Sequence, residues 1–201
     1  VVTVMHLPDT VTLERRLACR YVKIELLAQS YYDFRISDMK LEAVSSASGE
    51  GRPLEPTVDP MIARINEIGL KTLKECMQTV YEDGPKRDQR LWIGDLYLES
   101  MANTYSFENH ALTRRCLYLL AALADEDGWL HATVYELPKP EPQINQHTMD
   151  YSLLYGVTLL EYLKATGDRQ TAEELWPVVV RQIEFARTYL KDDIYDMEKQ
   201  P

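Results

Sequence analysis

The sequence predicts a mainly helical chain that opens with a short β segment, and three observations predict it. Apolar residues alternate with period two in the first 44 residues. From residue 59 onward they recur at helical spacing instead. Between the two regimes lies a stretch rich in Ser, Gly, Pro and Glu that reads as a linker by composition. The expected organisation is therefore 1–45 as β, 46–58 as linker and 59–201 as a helical domain.

In the β part, Val1-Val2-Thr3-Val4 is a β-branched run. Residues 21–26 place Val22, Ile24 and Leu26 on one face and Lys23 and Glu25 on the other. Phe34, Ile36, Leu41 and Ala43 continue the pattern with a shift near Ser37-Asp38. Three or four strands are too few to close a sandwich, so this part reads as the end of a β-sandwich that needs a partner.

The helical part opens with Asp59 as a cap and Pro60 at the first helical position. Ile62, Ile65, Gly69, Leu73, Cys76 and Val80 then mark one face, and the helix is expected to end near Glu82. A second helix is expected from about Asp95, with Leu98, Met101, Ala102 and Tyr105 as its face. A third, from about Glu108 to Ala124, carries Leu112, Cys116, Leu119, Leu120 and Leu123. A fourth, from about Thr148 to Ala165, carries Leu153, Val157, Leu160 and Leu163 and stops at Thr166-Gly167-Asp168. The fifth opens with Thr171-Ala172-Glu173-Glu174 as a capping box, and Pro177 is expected to bend it or delay its start. Helices joined by short turns lie antiparallel. The two long connections, 83–94 and 125–147, should then emerge at one end, and long loops in a compact domain are usually functional.

Composition excludes several classes. The 45% hydrophobic and 27% charged residues are those of an ordinary globular protein. No uncharged apolar run approaches the ~18 residues that would span a membrane. The net charge is −10, and residues 1–50 hold 6 basic and 7 acidic side chains, so nearly all the acidity lies in the helical part. Such a field repels nucleic acid and anionic membranes and suits a neutral substrate such as a sugar. Cys19, Cys76 and Cys116 are odd in number, far apart and set in apolar patterns, which predicts buried free thiols. No metal-ligand spacing, Gly-rich phosphate loop or nucleophile triad is present, and no cofactor is expected.

The chemistry concentrates in residues 83–95, Asp-Gly-Pro-Lys-Arg-Asp-Gln-Arg-Leu-Trp-Ile-Gly-Asp. Three carboxylates, Asp83, Asp88 and Asp95, lie there beside Lys86, Arg87, Arg90 and the indole of Trp92. Carboxylates bind hydroxyls or move protons, cations hold them ionised, and an indole face stacks on a sugar ring. A salt-bridged surface turn, with Asp95 capping the next helix, would use the same residues. Glu82 and Asp83 stand where a helix end disfavours negative charge. The second long loop adds Trp129, His131, Tyr135, Glu136, Asn145 and His147, with Asp150 just beyond it. Glu136 and Asp150 are further candidates for substrate contact.

This segment resembles the α-L-rhamnosidases of glycoside hydrolase family 78, through Asp83-Gly84-Pro85, Arg87-Asp88 and Trp92-Ile93-Gly94-Asp95. The likeness continues through the Leu153–Leu163 helix, Thr166-Gly167-Asp168 and Leu175-Trp176-Pro177, and residues 20–44 resemble the last strands before the catalytic domain. The resemblance implies an (α/α)6 six-hairpin barrel and inverting hydrolysis of a terminal α-L-rhamnose, with one carboxylic acid protonating the leaving oxygen and a second carboxylate activating water. It makes Asp88 the candidate general acid. Asp83 and Asp95 would bind sugar hydroxyls, Arg87 a carboxylate or hydroxyl, and Trp92 would line the pocket. Gln89 stands where some relatives carry the acid, and no Gly precedes Trp92. Only about five of the twelve helices are expected, so the chain reads as an internal piece whose open flank is covered by the remainder of the polypeptide or a partner. The general base is expected beyond residue 201. A carbohydrate-binding or scaffold relative that holds sugar without cleaving it, or another (α/α)6 glycosidase or lyase using Tyr135 and His147, are the competing readings.

Overall fold

The structure is a computed structural model that describes residues 8–13, 16–27, 35–52, 54–55, 58–192 and 194–196. The chain divides into two compact units, Val1–Lys40 and Leu41–Pro201. Among the described residues of the first unit no strand forms. Residues 21–26 have no ladder partner, and Val22, Ile24 and Leu26 are all at least half exposed. An alternating segment becomes a strand only when a neighbour pairs with its backbone, and no described neighbour does. Ile36, Leu41 and Ala43 likewise carry no ladder, while the expected runs at Val1–Val4 and Phe34 lie outside the described residues.

The second unit is mainly helical, in the order α1 (Pro60–Cys76), β1 (Leu91–Trp92), α2 (Ile93–Tyr105), α3 (His110–Ala122), β2 (Thr133–Tyr135), β3 (Glu141–Pro142), α4 (Met149–Thr166), α5 (Arg169–Thr188) and the hairpin β4 (Leu190–Lys191) and β5 (Ile194–Tyr195). Residues 41–52 are docked on it. Ser46 N–H donates to Met77 O at 2.7 Å, Arg52 N–H to Ser106 O at 3.0 Å, and Lys74 Nζ to Glu50 Oε1 at 2.8 Å.

Helix α1 starts where the sequence places it, with Asp59 Oδ1 accepting from Met61 N–H at 2.8 Å. It ends at Cys76, well short of Glu82. The amide of Gln78 turns back and donates to Glu75 O at 2.8 Å and Val44 O at 2.9 Å, satisfying a carbonyl the helix end leaves open. The chain then makes a tight turn in which Met77 bridges Tyr81, and Met77, Val80 and Tyr81 are fully buried. Glu82 and Asp83 therefore do not sit at a helix terminus. The side chains Ile62 and Ile65, expected to face a core, are exposed; only Leu73 and Cys76 of α1 are buried.

Helix α2 begins two residues before Asp95, because Ile93 N–H is already satisfied by Ala132 O at 3.0 Å. Asp95 is thus a first-turn acid and not the cap. The buried face is Ile93, Leu96, Ser100 and Asn103, while Leu98 and Tyr105 are exposed. Polarity hid this face: Asn103 is buried because it exchanges hydrogen bonds with the Asn109 backbone across the turn to α3. On α3, Leu112, Cys116 and Leu120 are buried as expected, together with Thr113 and Leu117. Helix α4 is apolar on two sides. It buries Ser152, Tyr155, Thr158, Leu159 and Tyr162, and leaves Leu153, Val157 and Leu160 exposed. It ends at Gly167, whose φ of 71° is the left-handed cap conformation. The cap of α5 is Asp168 rather than Thr171, which instead donates to it. The helix runs through Pro177 without a break. Where α4 meets α5, a Cβ on Gly156 would lie 2.8 Å from Val179, so the absence of a side chain sets the packing distance.

The two long connections meet in one small sheet, β1-β2-β3, all antiparallel. Leu91 pairs with Val134 and Trp92 with Thr133, and Thr133 Oγ1 donates to Leu91 O at 2.9 Å. Both loops therefore lie at the same end of the helical unit, as the alternation of long and short connections predicts. Cys76 and Cys116 are buried free thiols; Cys19, expected to be buried, is exposed. No helix among the described residues is long and apolar enough to cross a membrane.

Candidate functional site

The segment that precedes β1 is a compact turn. Gly84 O accepts from Arg87 N–H and Gln89 N–H, and Gln89 adopts a φ of 54°, a left-handed conformation that costs a side-chain-bearing residue about 1 kcal/mol or more. Its side chain contributes to holding the turn by donating to Pro85 O at 2.7 Å. The reversal brings Asp83 against Arg90: Asp83 N–H donates to Arg90 O at 3.0 Å, and Arg90 N–H to Asp83 Oδ1 at 3.3 Å.

Within this turn the cations are shared among the acids. The Asp83 carboxylate is almost fully buried and accepts from Arg87 Nη2 at 2.9 Å. Asp88 lies between Arg87, at 3.3 Å, and Arg90, at 3.9 Å. The second long loop fixes Arg90 in turn. Its guanidinium donates to Gln143 and lies 4.5 Å over the Tyr135 ring, a cation–π contact. The arrangement thus runs from loop two through Arg90 to Asp88, which no single stretch of sequence displays.

Asp95 faces this group from the first turn of α2. Burial raises its carboxyl above the ordinary range, the Asp83 charge raises it further, and its own backbone N–H and Arg87 act in the opposite direction. One helical turn on, Glu99 is pushed up to about 9, by burial first and then by Asp95 and Asp83. Its Oε2 is buried with no hydrogen-bond partner, and the Cys76 thiol at the end of α1 opposes the upward shift of the same carboxyl. That thiol is itself pushed up to about 12 by burial and by Glu99, so it remains a donor.

Trp92 stands beside this acidic group. Its ring meets Tyr151 edge-on at 6.4 Å and 87°, and its Nε1 is buried without an acceptor. Tyr151 can reach this position because residue 94 is Gly: a Cβ there would lie 2.5 Å from Tyr151 Cζ. Burial and the Asp95 charge raise the Tyr151 hydroxyl, which ties the aromatic pair to the carboxylates.

The remaining candidates take other positions. Glu136 accepts from Thr79 Oγ1 and Arg115, pinning the second loop to the turn after α1. Asp150 is exposed in the first turn of α4, where its charge reaches Tyr151. Tyr135 carries Arg90, whereas His147 stacks between Trp129, at 4.5 Å, and His131, at 4.6 Å, so the two belong to different clusters. Trp129 is buried against Phe185 and donates to Ser152 Oγ at 3.1 Å. Among the described residues no three His, Cys, Asp or Glu side chains could hold a metal ion. The sequence reading missed Glu99 and Tyr151. Glu99 had a signal, since a residue four after Asp95 shares its helix face; Tyr151 had none.

Two family models match this sequence. That of the bacterial alpha-L-rhamnosidase 6 hairpin glycosidase domain covers residues 56–200, and that of the glycosyl hydrolase family 78 alpha-rhamnosidase N-terminal domain covers residues 1–43. Among solved structures, a rhamnosidase from Klebsiella oxytoca with rhamnose bound is 43% identical, with a TM-score of 0.70 over 74% of this chain and 28% of that one. The family 78 rhamnosidase of Bacillus sp. GL1 is 23% identical, with a TM-score of 0.63 over 73% of this chain and 14% of that one, a likeness of fold. The chain thus spans 28% or less of these two relatives. No curated protein matches it.

Proposed function

The chain belongs to the bacterial α-L-rhamnosidase family with a six-hairpin glycosidase domain, and from that premise we propose that the protein carrying it hydrolyses terminal α-L-rhamnose, with inversion, from glycans. The observation that carries the proposal is the convergence of Asp83, Asp88 and Asp95 with Arg87 and Arg90 at the loop end of the helical unit, beside Trp92. In this reading Asp88 is the general acid. Asp83, held by Arg87 and the Arg90 backbone, accepts hydrogen bonds from sugar hydroxyls, and Asp95 does so from the first turn of α2. Arg87 is largely exposed, which leaves its guanidinium accessible to substrate. Trp92 and Tyr151 form the apolar wall. Glu136 and Asp150 contact substrate parts further from the scissile bond. The base that activates water comes from polypeptide outside these 201 residues. The same remainder covers the exposed apolar side chains of α1 and α4. Residues 1–45 belong to the domain that precedes the barrel, and 46–58 connect the two. Carbohydrate is the partner this reading requires, and neither nucleic acid nor membrane enters it.

The test is hydrolysis of an aryl α-L-rhamnoside by the full-length protein, with the anomer first released followed by NMR. Turnover with inversion supports the reading; retention, or hydrolysis of other glycosides but not rhamnosides, overturns it. One observation favours a second reading. Two guanidiniums bracket Asp88, as they bracket carboxylates that only bind. A relative that holds rhamnose without cleaving it would bind the sugar and show no turnover.

A further inference from the structure

We propose that Glu99 is a positioning residue that acts through Asp95: it stays a neutral carboxylic acid behind the site, so that Asp95 and Asp83 can both carry charge toward the sugar. This rests on the functional reading above. Asp95 and Glu99 are one turn apart on α2 and share a face. Glu99 Oε2 is buried and meets no donor. A buried carboxylate oxygen without a donor is costly, and a protonated carboxyl is much less so. The charged groups acting on it are Asp95 on its own helix and Asp83 and Glu82 from the loop. All are acids, and none favours a further negative charge. The one group that favours ionisation is the Cys76 thiol, a weak donor from the end of α1. Asp83 has donors in Arg87 and the Arg90 N–H, whereas Glu99 Oε2 has none. Coupled carboxylates share protons unequally, and the one with the fewest donors keeps the proton. The direction and size of the Glu99 shift, up to about 9, agree with this.

The consequence is a binding site with an alkaline limit. When Glu99 ionises, its charge falls on Asp95 and the hydroxyl-binding pair is disrupted. The affinity of the full-length protein for L-rhamnose, measured by calorimetry, should be flat up to about 9. Above that it should weaken by up to about tenfold per pH unit. Glu99→Gln, which fixes the neutral state at the same size, should bind within about twofold of wild type near neutrality and lose the alkaline decline. If that variant does not fold, Cys76→Ala serves: removing the thiol donor should move the break to higher pH. An unchanged alkaline decline in Glu99→Gln, or an unmoved break in Cys76→Ala, overturns the proposal. If rhamnose does not bind at any pH, the functional reading fails, and infrared spectroscopy still decides the state of Glu99. A protonated-carboxyl band present near neutrality and lost in Glu99→Gln supports the proposal, and its absence in wild type rejects it.

Discussion

Two residues show how single side chains set this architecture. Gly94 is in the first turn of α2, where alanine is the better helix former by about 1 kcal/mol. Its Cβ would nevertheless fall 2.5 Å from the Tyr151 ring, and crowding of this kind costs about 1–3 kcal/mol. The atoms met are the far end of the Tyr151 side chain, so the ring has to move for alanine to fit. Gly94→Ala should therefore alter the near-ultraviolet dichroism of the Trp92–Tyr151 pair; an unchanged spectrum would show that Tyr151 does not rest there. Asp168 is the second case. Hydrogen bonds from the Thr171 side chain and backbone, and from Tyr162, hold its carboxyl at about 2, down from 3.8. A depressed folded pKa contributes stability that is present above the unfolded value and lost as pH falls through the folded one. The wild type should therefore lose stability between about 3.8 and about 2, and Asp168→Ala should be less stable at neutrality and flatter over that interval. Equal slopes in the two melting series would remove Asp168 from the capping role. His131 acts in the same direction for the opposite reason: burial, and then the adjacent His147, lower its ring pKa, so acid has to charge a buried imidazole.

At the level of elements, the central device is the three-stranded sheet that ties the two loops together. Thr133 Oγ1 donates to Leu91 O inside it, so Thr133→Val should cost about 1 kcal/mol in stability and raise KM more than it lowers kcat. A mutant with wild-type stability and kinetics would show that the bond contributes nothing. This sheet was legible only in part. The long–short alternation of connections placed both loops at one end, but strands of two or three residues are too short for periodicity to register. The helices were legible as helices, and α3 even in its buried face. The faces of α2 and α4 were not, for a physical reason. Burial selected Asn103, Ser100, Ser152 and Thr158, polar residues whose side chains are hydrogen-bonded, while Leu98, Leu153, Val157 and Leu160 remained exposed. Hydrophobicity cannot rank two apolar sides of one helix. Of the candidate site, Asp83, Arg87, Asp88, Trp92 and Asp95 lie on one contiguous stretch, so the sequence shows them together. The clamp on Arg90 by Tyr135 and Gln143 crosses roughly fifty residues of chain and was not.

On the scale of the whole molecule, the exposed apolar side chains decide what to expect of the isolated chain. Met61, Ile62, Ile65 and Ile68 on α1 are all more than half exposed, and Leu153, Val157 and Leu160 on α4 are close to it. A surface of that kind marks an interaction face. The 201-residue piece should bind a hydrophobic dye strongly and show no glycosidase turnover, while the full-length protein should bind the dye weakly and be active. Robust hydrolysis by the piece alone would contradict an incomplete site. That Asp88 protonates the leaving oxygen is tested by comparing two substrates with Asp88→Asn in the full-length protein. Cleavage of rhamnosides with poor leaving groups should fall by roughly 10²–10⁴-fold, whereas activated aryl rhamnosides, which need little protonation, should lose far less. Equal, small losses on both substrates would contradict the claim and pass the acid's role to Asp95, the site carboxyl whose affinity for a proton is raised by burial and by Asp83.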